Sequence, residues 1–385
     1  RDIMFFTASE EDIKSGKTTD FYFINTKKIL EKKNINKNVV VEVTASSLPD
    51  NYRWGILSGL YEALLLLEGY NIDVSGLNEG SLFYPQEPVL TIEGNYKEFC
   101  DIETALLGFL CQSSGISTKS ARLKKIVGDK QILSFGVRRM HPSIAPMIDR
   151  AAYIGGLDGF SCIGAEKITG KKASGTMPHS LMLMIGNSKE AFVSFDEIID
   201  KQIPRIMLAD TFCDEKIEAL IAAENVKNLS GVRLDTPGSR RGNMSKIIQE
   251  VRWELDIRGY KDVKIFLSGG LDEDSFKSIK DADAFGVGTS VSNAKTIDFA
   301  LDIVEVDGKP FTKRGKLSGK KTVLRCPKCG SGKITYGKTN EKCACGEKMK
   351  SIQINLMKKG KILVDFEDAS NIRSNVLNQI SKVEL

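Results

Sequence analysis

The sequence predicts an α/β protein: a βα barrel, with a mixed strand-and-helix region before it and a small C-terminal zinc ribbon after it. Three observations predict it. From about Gln131 to Ser292, short apolar runs alternate with polar helical segments, as parallel βα units do. Two consecutive runs then end in glycine, at Ser268-Gly269-Gly270 and at Gly286-Val287-Gly288-Thr289. Glycines there let backbone N–H groups approach an anion with no Cβ in the way, and loops after the last strands of a βα barrel commonly hold phosphate. Finally, Cys326-Pro327-Lys328-Cys329 and Cys343-Ala344-Cys345 form two thiol knuckles with thirteen residues between them.

Taken in order, residues 1–112 carry strands at Val39–Thr44 and Val89–Ile92, with a helical stretch from Asn51 to Glu68. Residues 113–294 hold the barrel. Its strands are predicted at Gln131–Val137, Gly159–Gly164, Ser174–Met177, Arg205–Leu208, Gly231–Leu234, Val263–Leu267 and Ala284–Val287. Residues 321–385 form the ribbon domain, where Cys326, Cys329, Cys343 and Cys345 supply closed tetrahedral coordination for a structural zinc. The alternation of Ile352, Ile354 and Leu356 predicts that Lys350–Val364 pairs with the ribbon strands.

Composition bounds the function. A chain of 385 residues exceeds one ordinary core. Its 55 basic and 50 acidic residues leave a net charge of +5, which suits anionic small molecules and does not call for nucleic acid. The longest apolar run, Ala63–Leu67 between Glu62 and Glu68, falls far short of a bilayer span, so no membrane association is expected. Cys100, Cys111, Cys162 and Cys213 are scattered singly through apolar segments and read as free thiols of a reducing compartment. With no charged-then-apolar leader, a cytoplasmic location is expected.

Polar residues stand at the end of strand after strand, where an α/β barrel presents its active site. They are Arg138 and Arg139, Ser161, His179, Asp210 and Thr211, Arg233 and Asp235, and Ser268, with Gly288 closing the last strand. Arginine doublets, here and at Arg240-Arg241, suit phosphates and carboxylates because planar guanidinium forks bind oxyanions bidentately. Asp210 and Asp235 suit ribose hydroxyls, or Mg²⁺ through bridging waters. Of only two histidines, His141 beside Pro142 reads as structural. His179, in Gly175-Thr176-Met177-Pro178-His179, lies in the polar rim and is the candidate for chemistry. Phe135 and Tyr22 offer flat faces.

The segments Thr19-Asp20-Phe21-Tyr22, Ser134-Phe135-Gly136-Val137-Arg138-Arg139, Gly155-Gly156-Leu157-Asp158-Gly159, Gly175 to Ser180, Arg233-Leu234-Asp235 and the two glycine turns follow one another in a fixed order. In that ordered set the chain resembles the nicotinate phosphoribosyltransferases over roughly its first 320 residues, and with the ribbon it resembles their archaeal form. The resemblance implies an N-terminal α/β sandwich, completed by about residues 295–320, on an irregular, incomplete βα barrel, in a homodimer or higher even oligomer. It implies transfer from phosphoribosyl pyrophosphate to nicotinate, giving nicotinate mononucleotide and pyrophosphate in NAD biosynthesis, with magnesium, zinc and ATP as co-substrate.

Carried residue by residue, the resemblance makes His179, Asp235 and Arg233 catalytic, with His179 phosphorylated by ATP. Nicotinate would meet Phe135, Arg138, Ser161 and Thr176, its ring covered by Tyr22 donated from the other subunit. Phosphoribosyl pyrophosphate would meet Arg138, Arg139, Asp210, Asp235, Ser268, Gly269, Gly270, Gly288 and Thr289. The chain departs from the family's usual residues at Thr236-Pro237-Gly238 and Met140-His141-Pro142. Nicotinamide and quinolinate are the alternative acceptors. A neutral Ser161 neither accepts from an amide nor repels a carboxylate, which favours an acid, and quinolinate calls for a larger basic pocket. A more remote reading makes the ribbon, with Lys328, Lys333, Lys338 and Lys342, a nucleic-acid binder; with no aromatic beyond Tyr336 among those lysines, nucleic acid is not expected.

Overall fold

Apolar runs of two to six residues separated by amphipathic helices fold here into a curled parallel sheet. The computed structural model describes residues 5–240, 242–279 and 281–385. It comprises two compact units, one of residues up to 121 with 154–156 and 294–385, the other of residues 122–153 and 157–293.

In the second unit six parallel strands lie in the spatial order Gly159–Phe160, Gln131–Ser134, Ala284–Val287, Lys264–Leu267, Leu229–Leu234, Arg205–Leu208. Every residue of Arg205–Leu208 and of Ala284–Val287 is buried, because a parallel sheet is covered on both faces. The helix Met244–Ile257 shows the complementary pattern, burying Met244, Ile248, Val251 and Leu255 at spacings of three and four. The sheet stays open between Phe160 and Arg205–Leu208, so the barrel is incomplete, as the resemblance implied. The strand expected at Ser174–Met177 is absent. Ser174 alone reaches Phe160 O, with its N–H at 2.8 Å and its Oγ at 3.4 Å, and no ladder extends from it. Gly175 weakens pairing and Pro178 lacks a donor. Two other strands stop early, where the chain tightens into single turns at Val137–Arg139 and Ile163–Ala165.

The first unit carries an antiparallel seven-stranded sheet in the order Lys309–Pro310, Phe299–Val306, Asn38–Ala45, Leu90–Asn95, Asp73–Gly76, Ile354–Lys358, Lys361–Ile362. The helical stretch expected from Asn51 shortens to Leu60–Leu67, preceded by strand Gly55–Ile56 paired with Leu82–Phe83. Gly59, at φ 86°, makes the break, and the Glu79 carboxylate accepts from the N–H groups of Gly59 at 3.2 Å and Leu60 at 2.7 Å. In the ribbon, Thr322–Arg325 pairs with Gly332–Thr335 and Lys350–Ser351 around Leu324, Cys326 and Met349. The expectation for Lys350–Val364 therefore needs correction. Lys350–Ser351 joins the ribbon, whereas Ile354–Lys358 pairs with Asp73–Gly76 of the large sheet. Both Leu356 and Met357 are buried there, a two-sided demand the small ribbon does not meet. Among the described residues no helix is long and apolar enough to cross a membrane.

Candidate active site

Parallel strands end on one edge, so the residues after them gather into one rim. Phe135, Ser161, Asp235, Ser268 and Gly288 each follow a strand directly, and Asp210 follows one residue later.

His179 opens the helix His179–Ile185, with Pro178 extended at its N-cap. Its Nε2 lies 3.0 Å from Asp210 Oδ1. The other Asp210 oxygen accepts the Asp235 backbone N–H at 2.9 Å. Asp210 is thus an acceptor on both sides, so Nε2 carries the ring proton and Nδ1 keeps its lone pair. Nδ1 stands 4.0 Å from Asp235 Oδ2. The Asp210 side chain is 1% exposed; burial pushes its carboxyl above the usual range against the opposing pull of the His179 ring, and Asp235 adds to the rise.

Arg233 reaches the same point from Leu229–Leu234. Nη2 donates to Met177 O at 2.8 Å, Nη1 contacts Ser268 Oγ at 3.5 Å, and Nη1 stands 4.0 Å from Asp235 Oδ2. Its Nε is buried and has no acceptor among the described residues. Burial lowers its pKa and the two aspartates raise it, but a guanidinium stays charged. Ser268 Oγ donates to Asp235 Oδ1 at 2.7 Å, so Oδ2 is the oxygen turned toward Arg233 and His179, each 4.0 Å away.

Phe135 is fixed by its N–H donating to Val287 O at 2.7 Å. A Cβ on Gly286 would sit 2.5 Å from the Phe135 ring, so the strand needs glycine there. Phe135 and Thr176 line a cavity of about 290 Å³ together with Leu133, Ile206, Lys264 and Phe266. Gly269 and Gly270 are left-handed, at φ 90° and 64°, and Ser290 Oγ donates to Leu271 O at 2.7 Å, tying the two glycine turns together. Thr289 follows Gly288 in the second turn and is exposed.

Other expected residues are not drawn into this network. Arg138 and Arg139 stand exposed in their single turn, with no ion pair among the described residues. Arg240 is exposed, and Arg241 lies outside the described residues. Tyr22 belongs to the first unit, exposed on the helix Phe21–Lys32 with its ring 4.4 Å from that of Phe23.

Two family models match the chain: quinolinate phosphoribosyl transferase, N-terminal domain, over residues 20–114, and its C-terminal domain over residues 116–302. The crystal structure of nicotinate-nucleotide pyrophosphorylase from Pyrococcus furiosus superimposes with a TM-score of 0.97, at 53% identity over 100% of both chains. The chain belongs to the quinolinate phosphoribosyltransferase family. A nicotinate phosphoribosyltransferase of Mycobacterium tuberculosis is 28% identical over 75% of this chain and 73% of its own length. That of Bacillus subtilis is 28% identical over 76% and 67%. Human nicotinic acid phosphoribosyltransferase shares the fold, with a TM-score of 0.76 at 17% identity over 95% of this chain and 94% of that one.

One residue beneath the rim was not legible in the sequence. Asp149, fully buried, accepts from Ser134 Oγ at 2.7 Å and from the Cys162 N–H at 2.8 Å, so it braces the segments carrying Phe135 and Ser161. Burial pushes its carboxyl up, against those donors. It shares a helix face with Ala145 and Ala152, and a carboxylate on an apolar stripe was the available signal.

The four ribbon sulfurs lie within 4.8 Å of one another, with Cys326–Cys345 and Cys329–Cys343 each at 3.5 Å. Tetrahedral zinc with bonds of about 2.3 Å needs sulfurs about 3.8 Å apart. The cluster fits a metal of that kind.

Proposed function

We propose that this phosphoribosyltransferase acts in NAD synthesis and that its acceptor is nicotinate. The observation that carries the reading is Arg233: one half-buried guanidinium whose buried Nε is unpartnered among the described residues, beside the His179–Asp210 pair and Asp235 Oδ2. A single cation of this kind matches a single pyridine carboxylate. Relatives that span three-quarters of the chain bear the nicotinate phosphoribosyltransferase name.

In the reaction the bond from the anomeric carbon to pyrophosphate breaks and pyrophosphate leaves with the electron pair. The lone pair of the nicotinate ring nitrogen forms the new carbon–nitrogen bond. No proton has to be removed, so the site needs fixed charges more than a base. Asp235 Oδ2 faces the cation growing on the ribose, Phe135 supports the ring, and Arg233 holds the acid group. Donors at the turns Ser268–Gly270 and Gly288–Thr289 suit phosphate. Mg²⁺, which binds through one or two carboxylates and substrate phosphates, fits Asp235 and would neutralise the leaving group.

The same reading assigns His179 as a phosphoryl acceptor. Its Nδ1 takes the γ-phosphoryl group as the bond to ADP breaks, since Nε2 is engaged by Asp210. Zinc at the four cysteines is structural, Tyr22 completes the site of a second subunit, and free Cys100, Cys111, Cys162 and Cys213 fit a cytoplasmic enzyme.

Quinolinate is the second reading, favoured by both matching family models and by the 53% identical nicotinate-nucleotide pyrophosphorylase. Its two carboxylates would leave one without a cation like Arg233, with an unpartnered buried Nε. With phosphoribosyl pyrophosphate and magnesium, nicotinate should release pyrophosphate and nicotinate mononucleotide in equal amounts. Turnover of quinolinate with carbon dioxide release, and none of nicotinate, assigns the other acceptor.

A further inference from the structure

Glu215 and Glu218 lie one turn apart at the start of the helix Glu215–Asn225. Acidic residues in a first turn ordinarily just offset the helix dipole in water. Glu218 is instead 0% exposed. Its Oε2 accepts from the Thr211 N–H at 2.6 Å, and its Oε1 accepts from the Phe212 N–H at 3.2 Å and from the Ser188 hydroxyl. Glu215 Oε1 accepts from Thr236 Oγ1 at 2.6 Å. Thr211 follows Asp210, and Thr236 follows Asp235. The residue after each active-site aspartate is therefore gripped by one helix, and those aspartates are themselves joined through Asp210 Oδ2 and the Asp235 N–H.

We propose that Glu215 and Glu218 are positioning residues of the transferase: a two-pronged clamp that holds Asp210 and Asp235 at the spacing which fixes the His179 tautomer. The proposal rests on the phosphoribosyl-transfer reading for its effect on rate, but the tautomer can be read without turnover. The mechanism is geometric. Glu218→Gln keeps one oxygen. If that oxygen stays with Phe212 and Ser188, the amide group meets the Thr211 N–H donor to donor and pushes away the segment carrying Asp210.

The chain has only two histidines, so His141→Ala leaves His179 as the single imidazole. In that ¹⁵N-labelled background, under alkaline conditions with the ring neutral, the ring nitrogens should report one tautomer, protonated at Nε2. Glu218→Gln and Glu215→Ala should each give a mixture of tautomers and lower kcat for phosphoribosyl transfer about 10-fold or more, with a small change in Tm. Ser188→Ala, which spares both amide contacts, should leave tautomer and kcat as they were. A lowered Tm with the tautomer and kcat intact in Glu218→Gln would make the residue a helix cap only and overturn the clamp. Equal disturbance by Ser188→Ala would overturn it too, as general loosening. If Glu218→Gln does not fold, half-buried Glu215→Ala decides: an unchanged tautomer refutes the proposal. If the parent turns over no pyridine carboxylate, the function fails while the tautomer still judges the clamp.

Discussion

Asp210→Asn replaces one atom and separates two roles that the carboxylate plays at once. Asp210 accepts a hydrogen bond from His179 Nε2–H on one oxygen, at 3.0 Å, and from the Asp235 N–H on the other, at 2.9 Å. Asparagine has one acceptor for these two donors. With its oxygen toward Asp235, its NH₂ faces Nε2 and forces the ring proton onto Nδ1, the nitrogen that should stay free. With its oxygen toward His179, its NH₂ meets the Asp235 N–H donor to donor at a side chain 1% exposed, at a cost of about 1–3 kcal/mol. A charge-assisted hydrogen bond is lost either way, worth about 1.5–3 kcal/mol. At about 1.4 kcal/mol per decade, kcat/KM should fall roughly 10- to 100-fold. Removing a buried charge also relieves desolvation, so Tm should move by only a few degrees. Steady-state kinetics with nicotinate and phosphoribosyl pyrophosphate, run beside uptake of label from γ-labelled ATP, reads both consequences. A variant that keeps kcat/KM within about twofold and still takes up label would refute the assignment of Nδ1 and the role of Asp210.

Arg233→Lys keeps the charge but loses the fork that spans Met177 O and Ser268 Oγ; KM for nicotinate should rise about 10- to 100-fold with that for phosphoribosyl pyrophosphate little changed, and parallel rises in both would refute selective acid binding. Glu103 is pushed up from 4.5 to about 7 by burial, then by Asp302, with Lys313 opposing and Asp20 adding. A raised carboxyl contributes stability that is full below about 4.5 and is lost as pH rises through about 7. After allowance for solvent screening, Glu103→Gln should therefore be more stable than the parent by about 1–2 kcal/mol at pH ~8 and equal at pH ~4.5 in urea unfolding; no gain at the higher pH contradicts this. Cys343→Ser should abolish stoichiometric zinc and speed hydrogen exchange across the ribbon strands Thr322–Arg325, Gly332–Thr335 and Lys350–Ser351, sparing Ile354–Lys358, which pairs with Asp73–Gly76. Full zinc content in that variant would discard the four-cysteine site.

Much of the rim was legible because parallel strands are short, apolar and end abruptly: Arg205–Leu208 and Ala284–Val287 stand where their apolar runs predict, and Asp210 and Gly288 follow from them, as Asp235 follows Leu229–Leu234 and Ser268 follows Lys264–Leu267. Ser174–Met177 read as a strand because local pattern does not report a missing neighbour. The partner of Ile354–Lys358 lies far away in sequence at Asp73–Gly76, and alternation says which face is buried, not which sheet it joins. The network has a subtler reason for being hidden. Met177 holds Arg233 with a backbone carbonyl, which any residue supplies. Asp149 and Glu218 sit in helices, where carboxylates usually meet water, and only their position on apolar faces sets them apart.

The choice of acceptor is tested most directly by competition. Deuterated nicotinate and unlabelled quinolinate are offered together at equal concentration with limiting phosphoribosyl pyrophosphate, and the nucleotide is weighed by mass spectrometry while carbon dioxide is collected. One guanidinium at Arg233, with one free buried Nε, predicts deuterated nicotinate mononucleotide and no carbon dioxide. Unlabelled nicotinate mononucleotide accompanied by carbon dioxide would contradict it and assign quinolinate as the acceptor.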